Sequence, residues 1–208
     1  TNLYYMQYTN QLVLTGALDD VGAPIRATSG KSDRLGLEVD ASVKVSEQFS
    51  VRPTMGISQN QNQSFFATID GVTKNLGTTA LSFSPNLVIG NALVFQPKEN
   101  LQFSFLSKYV SKQWMSNLNS EVSETDILDS YFVNDLNIVY KWTPKHLFKS
   151  IVITGLINNI FNLEYVDRGY YYTYDDTWSE SNSTTTLDGA GYYPQATRNF
   201  LVGVTLQF

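Results

Sequence analysis

Arg198-Asn-Phe-Leu-Val-Gly-Val-Thr-Leu-Gln-Phe208, the last eleven residues, decide how this chain is read. Phe200, Val202, Val204, Leu206 and Phe208 fall on one side of an extended backbone, and Asn199, Leu201, Gly203, Thr205 and Gln207 on the other. Side chains along a strand alternate with period two, so this is a strand with one oily face and one small or polar face. It runs up to the final carboxylate and stops on an aromatic residue, where a water-soluble domain usually frays into a polar tail.

Seven further stretches alternate. Strand one, about 2–14, sets Tyr4, Met6, Tyr8, Leu12 and Leu14 on one side. Strand two, about 33–45, sets Leu35, Leu37, Val39, Ala41, Val43 and Val45 against Arg34, Gly36, Glu38, Asp40, Ser42 and Lys44. Strand three, about 49–59, carries Phe49, Val51, Pro53, Met55 and Ile57 on its oily side. Strands four (85–97), five (101–112) and six (130–143) follow the same rule, and strand seven (149–161) is apolar on both sides. The charges Arg34, Glu38, Asp40 and Lys44 cannot lie in a dry core without partners. They fit a wet lumen, and equally the solvent face of a soluble β-sandwich.

The connections separate those readings. They run long (15–32), short (46–48), long (60–84), short (98–100), long (113–129), fairly short (144–148) and long (162–194). Compact turns on one rim and long Gly/Asn/Ser/Thr-rich loops on the other are the pattern of outer-membrane barrels. The expected fold is therefore all-β, a transmembrane antiparallel β-barrel. Composition agrees. There are 13 Tyr, 12 Phe and 3 Trp, which barrels use as girdles at both membrane interfaces. Tyr4, Tyr5, Phe49, Phe95, Tyr140, Trp142, Phe148 and Phe208 are expected at the short-turn rim. Tyr109, Trp114, Tyr131, Phe132, Tyr165, Tyr192 and Tyr193 are expected at the long-loop rim. Mean hydropathy is −0.18, and no apolar run approaches the length of a spanning helix. Net charge is −5 with scattered basic residues, which argues against a nucleic-acid partner. Cysteine is absent, so no thiolate metal site exists.

Motif by motif, enzymatic chemistry finds little support. Gly30-Lys31-Ser32 lacks the earlier glycine of a phosphate-binding loop, having Ile25 there, and leads into a strand. His146, the one histidine, lies in the turn Pro144–Phe148, far from any poised serine or aspartate. Asp175-Asp176-Thr-Trp-Ser-Glu180 offers hard oxygens for Ca²⁺ but lacks a dedicated calcium-loop spacing, and acidic loop tips are commonly just solvated. No metal and no cofactor is expected. Tyr170, Tyr171, Tyr172, Tyr174 and Trp178 cluster in one loop, where exposed aromatics either stack on a ligand or pack the loop against its neighbours.

Gly155-Leu-Ile-Asn-Asn-Ile-Phe-Asn-Leu-Glu-Tyr165, then Gly191-Tyr-Tyr-Pro-Gln-Ala-Thr-Arg198 and the closing strand, resemble the carboxy-terminal end of TonB-dependent outer-membrane receptors. Lys108-Tyr-Val-Ser-Lys112 resembles a recurring motif of that family, with Ser111 in place of glycine. The flavour is Bacteroidetes-type, closer to iron-complex and siderophore receptors than to glycan transporters. The resemblance implies a barrel of about 22 strands with a plugged lumen, of which residues 1–208 match the last eight strands. A plug domain and a TonB box are not among them. Thr1-Asn2-Leu3 opens without a secretory segment, so either such a segment was removed or this is the tail of something longer.

The function so implied is TonB-dependent active uptake of a scarce ligand, most simply a ferric siderophore or related iron complex, in the Gram-negative outer membrane. Arg26, Lys31, Arg34 and Arg168 are candidates to attract an anionic chelate, with the aromatics of 170–178 as further contacts. Phe208 is the assembly signal. Partners are outer-membrane lipid, the barrel-assembly machinery, a ferric chelate or other small ligand, and the TonB complex through the missing amino-terminal part. The alternatives are a stand-alone eight-stranded barrel serving as anchor or adhesin, a glycan- or cobalamin-uptake receptor, and a secreted β-sandwich.

Overall fold

The computed structural model describes residues 1–144 and 149–208. Its strands, in chain order, are β1 (Asn2–Leu18), β2 (Pro24–Asp40), β3 (Val43–Lys44), β4 (Phe49–Ile69), β5 (Val72–Ala80), β6 (Leu87–Lys98) and β7 (Leu101–Val110). There follow β8 (Gln113–Trp114), β9 (Ile127–Leu128), β10 (Tyr131–Trp142), β11 (Ser150–Asn158), β12 (Val166–Asp176), β13 (Thr185–Pro194) and β14 (Asn199–Gln207). The eight alternating stretches form one antiparallel meander in the order β1-β2-β4-β6-β7-β10-β11-β14. Each of these strands lies beside its neighbour in sequence, so the wall is built from local hairpins.

Register makes the two faces continuous. Val51 stands opposite Leu93, Leu93 opposite Phe105, Phe105 opposite Leu136, Leu136 opposite Ile157 and Ile157 opposite Phe200. One residue along, the row is Arg52, Ala92, Leu106, Asp135, Asn158 and Asn199. A slip of one residue in any pair would turn an oily row into the polar face. The register also settles strand seven. Ile151, Ile153 and Ile157 join the oily face, while Ser150, Thr154 and Asn158 join the polar one.

Two short turns fall where the sequence places them. The Ser46 hydroxyl accepts from the backbone N–H groups of Gln48 and Phe49 at 3.3 and 3.1 Å, and Glu99-Asn100 links the Lys98–Leu101 pair. His146 and Phe148 lie outside the described residues.

Two expectations are corrected. First, three of the four long connections are not irregular, the exception being 113–129. β1 and β2 continue to a five-residue turn at 19–23, β4 folds back as β5 around Asp70-Gly71, and 162–194 is largely the β12–β13 ribbon. Second, strand one is turned over. Leu3 and Tyr5 stand opposite Leu37 and Leu35, whereas Tyr4 and Met6 stand opposite Gly36 and Arg34 on the polar face. Tyr131 stands at the rim but on the polar side, buried with its ring centroid 4.6 Å from that of Tyr165. The main reading, a sector of a larger barrel, holds: β1 and β14 do not pair with each other. A closed eight-stranded barrel needs that pair, and a sandwich needs a second sheet facing the first, so both alternatives fail here.

The apolar core is not in the wall. Val13, Phe65, Ala67, Ile69, Leu81 and Leu118 form a buried cluster with Tyr171 and Val122 packed on it, all in the segments beyond the long-loop rim. These segments make a canopy over one end of the sheet.

Candidate functional site

The canopy is assembled by polar groups from loops far apart in sequence. Asn62 is fully buried and donates to Thr79 Oγ1 at 3.1 Å and to Asn117 Oδ1 at 3.3 Å. Asn117 in turn donates to the Leu14 carbonyl at 2.9 Å, tying β4, β1 and the 111–130 loop together. Asp126, also fully buried, accepts from Ser116 Oγ at 2.5 Å and from the backbone N and hydroxyl of Ser120 at 3.2 and 2.9 Å. Such donors satisfy a carboxylate that burial would otherwise penalise.

The β12–β13 ribbon leaves the wall between β11 and β14, yet it reaches the opposite edge, where Thr173 pairs with Ala17 of β1 in parallel. Its Asp188 accepts from the Ser123 hydroxyl and from Thr125 Oγ1 at 2.5 Å. Burial alone would raise the Asp188 pKa, but these hydrogen bonds, with the Tyr171 hydroxyl nearby, outweigh it and hold the carboxyl below its usual range. Burial, and then the charges of Asp188 and Asp126, push Tyr171 well above the ordinary tyrosine value. Tyr192 donates to the Thr125 carbonyl at 2.5 Å.

The ribbon divides the aromatic cluster between its two faces. Tyr171 points into the canopy core. Tyr170, Tyr172 and Tyr174 line the outer face, with ring centroids 6.3 and 6.4 Å apart and planes nearly parallel. Tyr193 continues the row, 6.1 Å from Tyr170. Tyr172 and Tyr170 lie flat over Gly189 and Gly191, where an added Cβ would come within 2.6 and 2.4 Å of the rings. Glycine across the strand is thus what lets the rings tile. Trp178 stands at the hairpin end, 75% exposed.

The candidate cations do not converge. Arg34 is on the polar face with its guanidinium 4.6 Å from the Tyr8 ring centroid. Lys31 sits an odd number of residues away, facing opposite to Arg34. Arg26 is exposed, and its register neighbour Ala27 pairs with buried Val13 on the other side of the ribbon. Arg168 is engaged by Asp167 through Nε at 3.1 Å and Nη2 at 3.3 Å, and this hydrogen bond raises its pKa. Phe208 is 89% exposed at the end of the oily row of β14.

The acidic tip is spent on its own turn. Asp176 Oδ1 accepts from the backbone N of Trp178 and Ser179, both at 3.1 Å, and Asp175 accepts from Thr186 at 2.7 Å. Among the described residues no three His, Asp or Glu side chains gather as a metal cluster.

Sequence reasoning missed the residues that hold the canopy. Asp126, Asn62 and Asn117 are single polar residues in polar segments and carry no signal. Asn159 did, since it belongs to the quoted Asn-Asn-Ile-Phe-Asn run. It adopts φ 50°, takes the Asp135 carboxylate on its backbone N at 2.7 Å and brackets Leu163 with both amide atoms. Asn162 Oδ1 then accepts from the Arg198 backbone N at 3.1 Å. The motif is a corner that places β14 beside β11.

No protein-family model matches the chain, and no characterised protein matches it by sequence. Solved structures do. The ferric-catecholate import receptor Fiu of Escherichia coli K12, in its closed form, matches with a TM-score of 0.65 and 14% identity over 99% of this chain and 24% of its own. The siderophore receptor PiuA from Acinetobacter baumannii matches at 0.60 and 13% over 98% and 25%. The copper transporter OprC matches at 0.62 and 14% over 97% and 27%. The chain thus spans about a quarter of the length of these proteins. Likeness at such identity assigns the fold: a sector of the β-barrel of import receptors, here an open sheet.

Proposed function

We propose that this chain is the carboxy-terminal part of a TonB-dependent outer-membrane receptor of Bacteroidetes type, which takes up a scarce ligand from outside the cell. One observation supports this above the others. An open eight-stranded wall with one mainly oily face, interrupted at Asn91, Ser107 and Asn134, ends on a single rim in a self-packed canopy. Lipid satisfies the oily face, and further strands of the parent protein satisfy the edges of β1 and β14, because unpaired backbone groups are costly in a bilayer. The canopy meets the ligand first. The polar face with Arg34 and Tyr8 lines the route inward, and coupling to the TonB complex and to a plug belongs to parts of the parent outside these residues. Energy then comes from the inner-membrane complex rather than from bond-making here.

The leading ligand is a ferric siderophore or related iron complex, contacted by Tyr170, Tyr172, Tyr174 and Trp178. Arg26, Lys31 and Arg168 act at most as separate long-range charges. A neutral or cationic ligand is the second reading. It is favoured by Glu164, Asp167, Asp175, Asp176, Glu180 and Asp188 in one segment against Arg168.

The test is uptake of radiolabelled iron on a panel of chelates after deletion of the parent gene. Loss with one chelate supports the assignment, and unchanged uptake of all of them removes it. Phe208→Ala is expected to lower the amount of assembled barrel in outer-membrane fractions, since the assembly machinery reads the final strand.

A further inference from the structure

Where the β12–β13 ribbon crosses to the other side of the sheet, it roofs a cavity of about 280 Å³. Three hairpins supply the walls, with Ala17, Ala27, Ala67, Ile69, Leu118 and Val122 as the apolar lining. The rest of the lining is Phe66 and threonines, and no lining residue is ionisable. The threonine hydroxyls are largely occupied. Thr15 donates to the Ile25 carbonyl at 3.1 Å, Thr68 and Thr73 share a hydrogen bond at 3.3 Å, and Thr186 donates to Asp175. A charged group placed here would lose hydration and meet no ionised side chain in the lining itself. An alkyl or aromatic group would lose nothing. The space is open on the side where Ala27, Phe66, Thr68 and Thr73 are exposed, and its volume exceeds the roughly 150 Å³ that holds a benzene ring in an apolar cavity.

The roof is fastened at its far end. The tight turn with Asp70 at φ 55° and Gly71 at φ 70° presents both partners of a reciprocal clasp. Asp70 N donates to Thr186 Oγ1 at 2.7 Å, and Thr186 N donates to Asp70 Oδ1 at 3.1 Å. Elsewhere the ribbon touches β1 through the single pair Ala17 and Thr173.

We infer that the cavity under the β12–β13 ribbon is a binding site for a small uncharged group, alkyl or aromatic, closed by the Asp70–Thr186 clasp. It lies on the opposite face of the ribbon from the tyrosine row, so it is separate from the contacts proposed for the transported ligand.

Xenon is the probe, applied under pressure to the intact parent protein in lipid nanodiscs with ¹³C-methyl-labelled Ile, Leu and Val. The methyl signals of Ile69, Leu118 and Val122 are expected to shift saturably, and those of exposed Leu12 to stay linear with pressure. Ala67→Phe fills the space and abolishes the saturable shift, with Ala27→Leu as the second filling variant should the first misfold. Thr186→Val opens the clasp, which is expected to weaken xenon binding roughly tenfold by lowering the closed fraction and to speed amide exchange in β5 and β13. Absence of a saturable shift, or its persistence in both filling variants, overturns the site. Unchanged affinity in Thr186→Val overturns the clasp. Neither readout depends on transport.

Discussion

The wall and the canopy solve the same problem in opposite ways. In the wall most side chains of one face are apolar and exposed: Phe200, Val202 and Val204 are 67%, 78% and 62% exposed. It has backbone pairing but no interior, and under the proposed function lipid covers its oily face. The canopy keeps its apolar residues inside, as Leu118 at 2% exposure shows, and spends buried amides and carboxylates on joining its loops. One strand can belong to both, since β4 passes from the oily row at Val51 to the core at Phe65 through irregular register. Which solution a segment adopts is set by its surroundings on each side of the rim rather than by its secondary structure.

Perturbing each region by itself tests the division. Leu118→Ala removes a core side chain and is expected to cost about 2–5 kcal/mol of canopy stability. Amide exchange should accelerate across 60–80 and 111–128 while β7 and β10 stay protected. Equal acceleration in the wall would make the two regions one cooperative unit. Leu136→Arg puts a charge in the middle of an oily row, which costs about 2–4 kcal/mol near the bilayer midplane. Urea unfolding from vesicles should show the loss, with canopy exchange unaltered; no loss would mean the row does not face lipid.

Asn159→Ala strips the corner between the regions of its bonds to Leu163. About 1–3 kcal/mol is expected from the buried groups left unpaired, read as a lower yield of heat-modifiable folded protein, with partial rescue by Asn159→Asp.

Acid and alkali give the smallest effect. Asp188 has a folded pKa below its ordinary 3.8, so its contribution is full above that value and lost as pH falls through the folded pKa. Tyr171 has a folded pKa above its ordinary 10.0, so its contribution is full below pH 10 and lost as pH rises further. Exchange in β12–β13 should therefore be slowest between these limits and rise at both ends, without change in the wall. A flat profile would detach both groups from canopy stability.

What could be read in advance follows from the same contrast. The wall strands were legible because lipid on one side and water on the other write a period of two into the residues, as in Leu35-Gly-Leu-Glu-Val39. The strand extensions were not. Beyond the rim both faces meet water or protein, so Ser58-Gln-Asn-Gln-Asn-Gln-Ser64 resembles a loop although most of it pairs as β4. Strand one reads the wrong way round from sequence because Tyr4, Met6 and Tyr8 are apolar enough to imitate an oily row. Register with Gly36 and Arg34 decides their side, and register is a property of two strands.

The candidate site divides likewise. The aromatic cluster was visible as composition, but the turning of Tyr171 inward and of Tyr170, Tyr172 and Tyr174 outward came with the ribbon's docking. The sequence by itself determined eight membrane-type strands, their order and the rim that bears the long connections, because hydrophobic alternation and turn chemistry act over a few residues. Only the tertiary structure decided which cations stand apart, where Asp126 and Asp188 find donors, and that 162–194 spans the canopy to β1. The docking of 162–194 depends on hydrogen bonds between residues more than fifty positions apart, such as Asp188 with Ser123 and Asp70 with Thr186, and no local pattern encodes such a meeting.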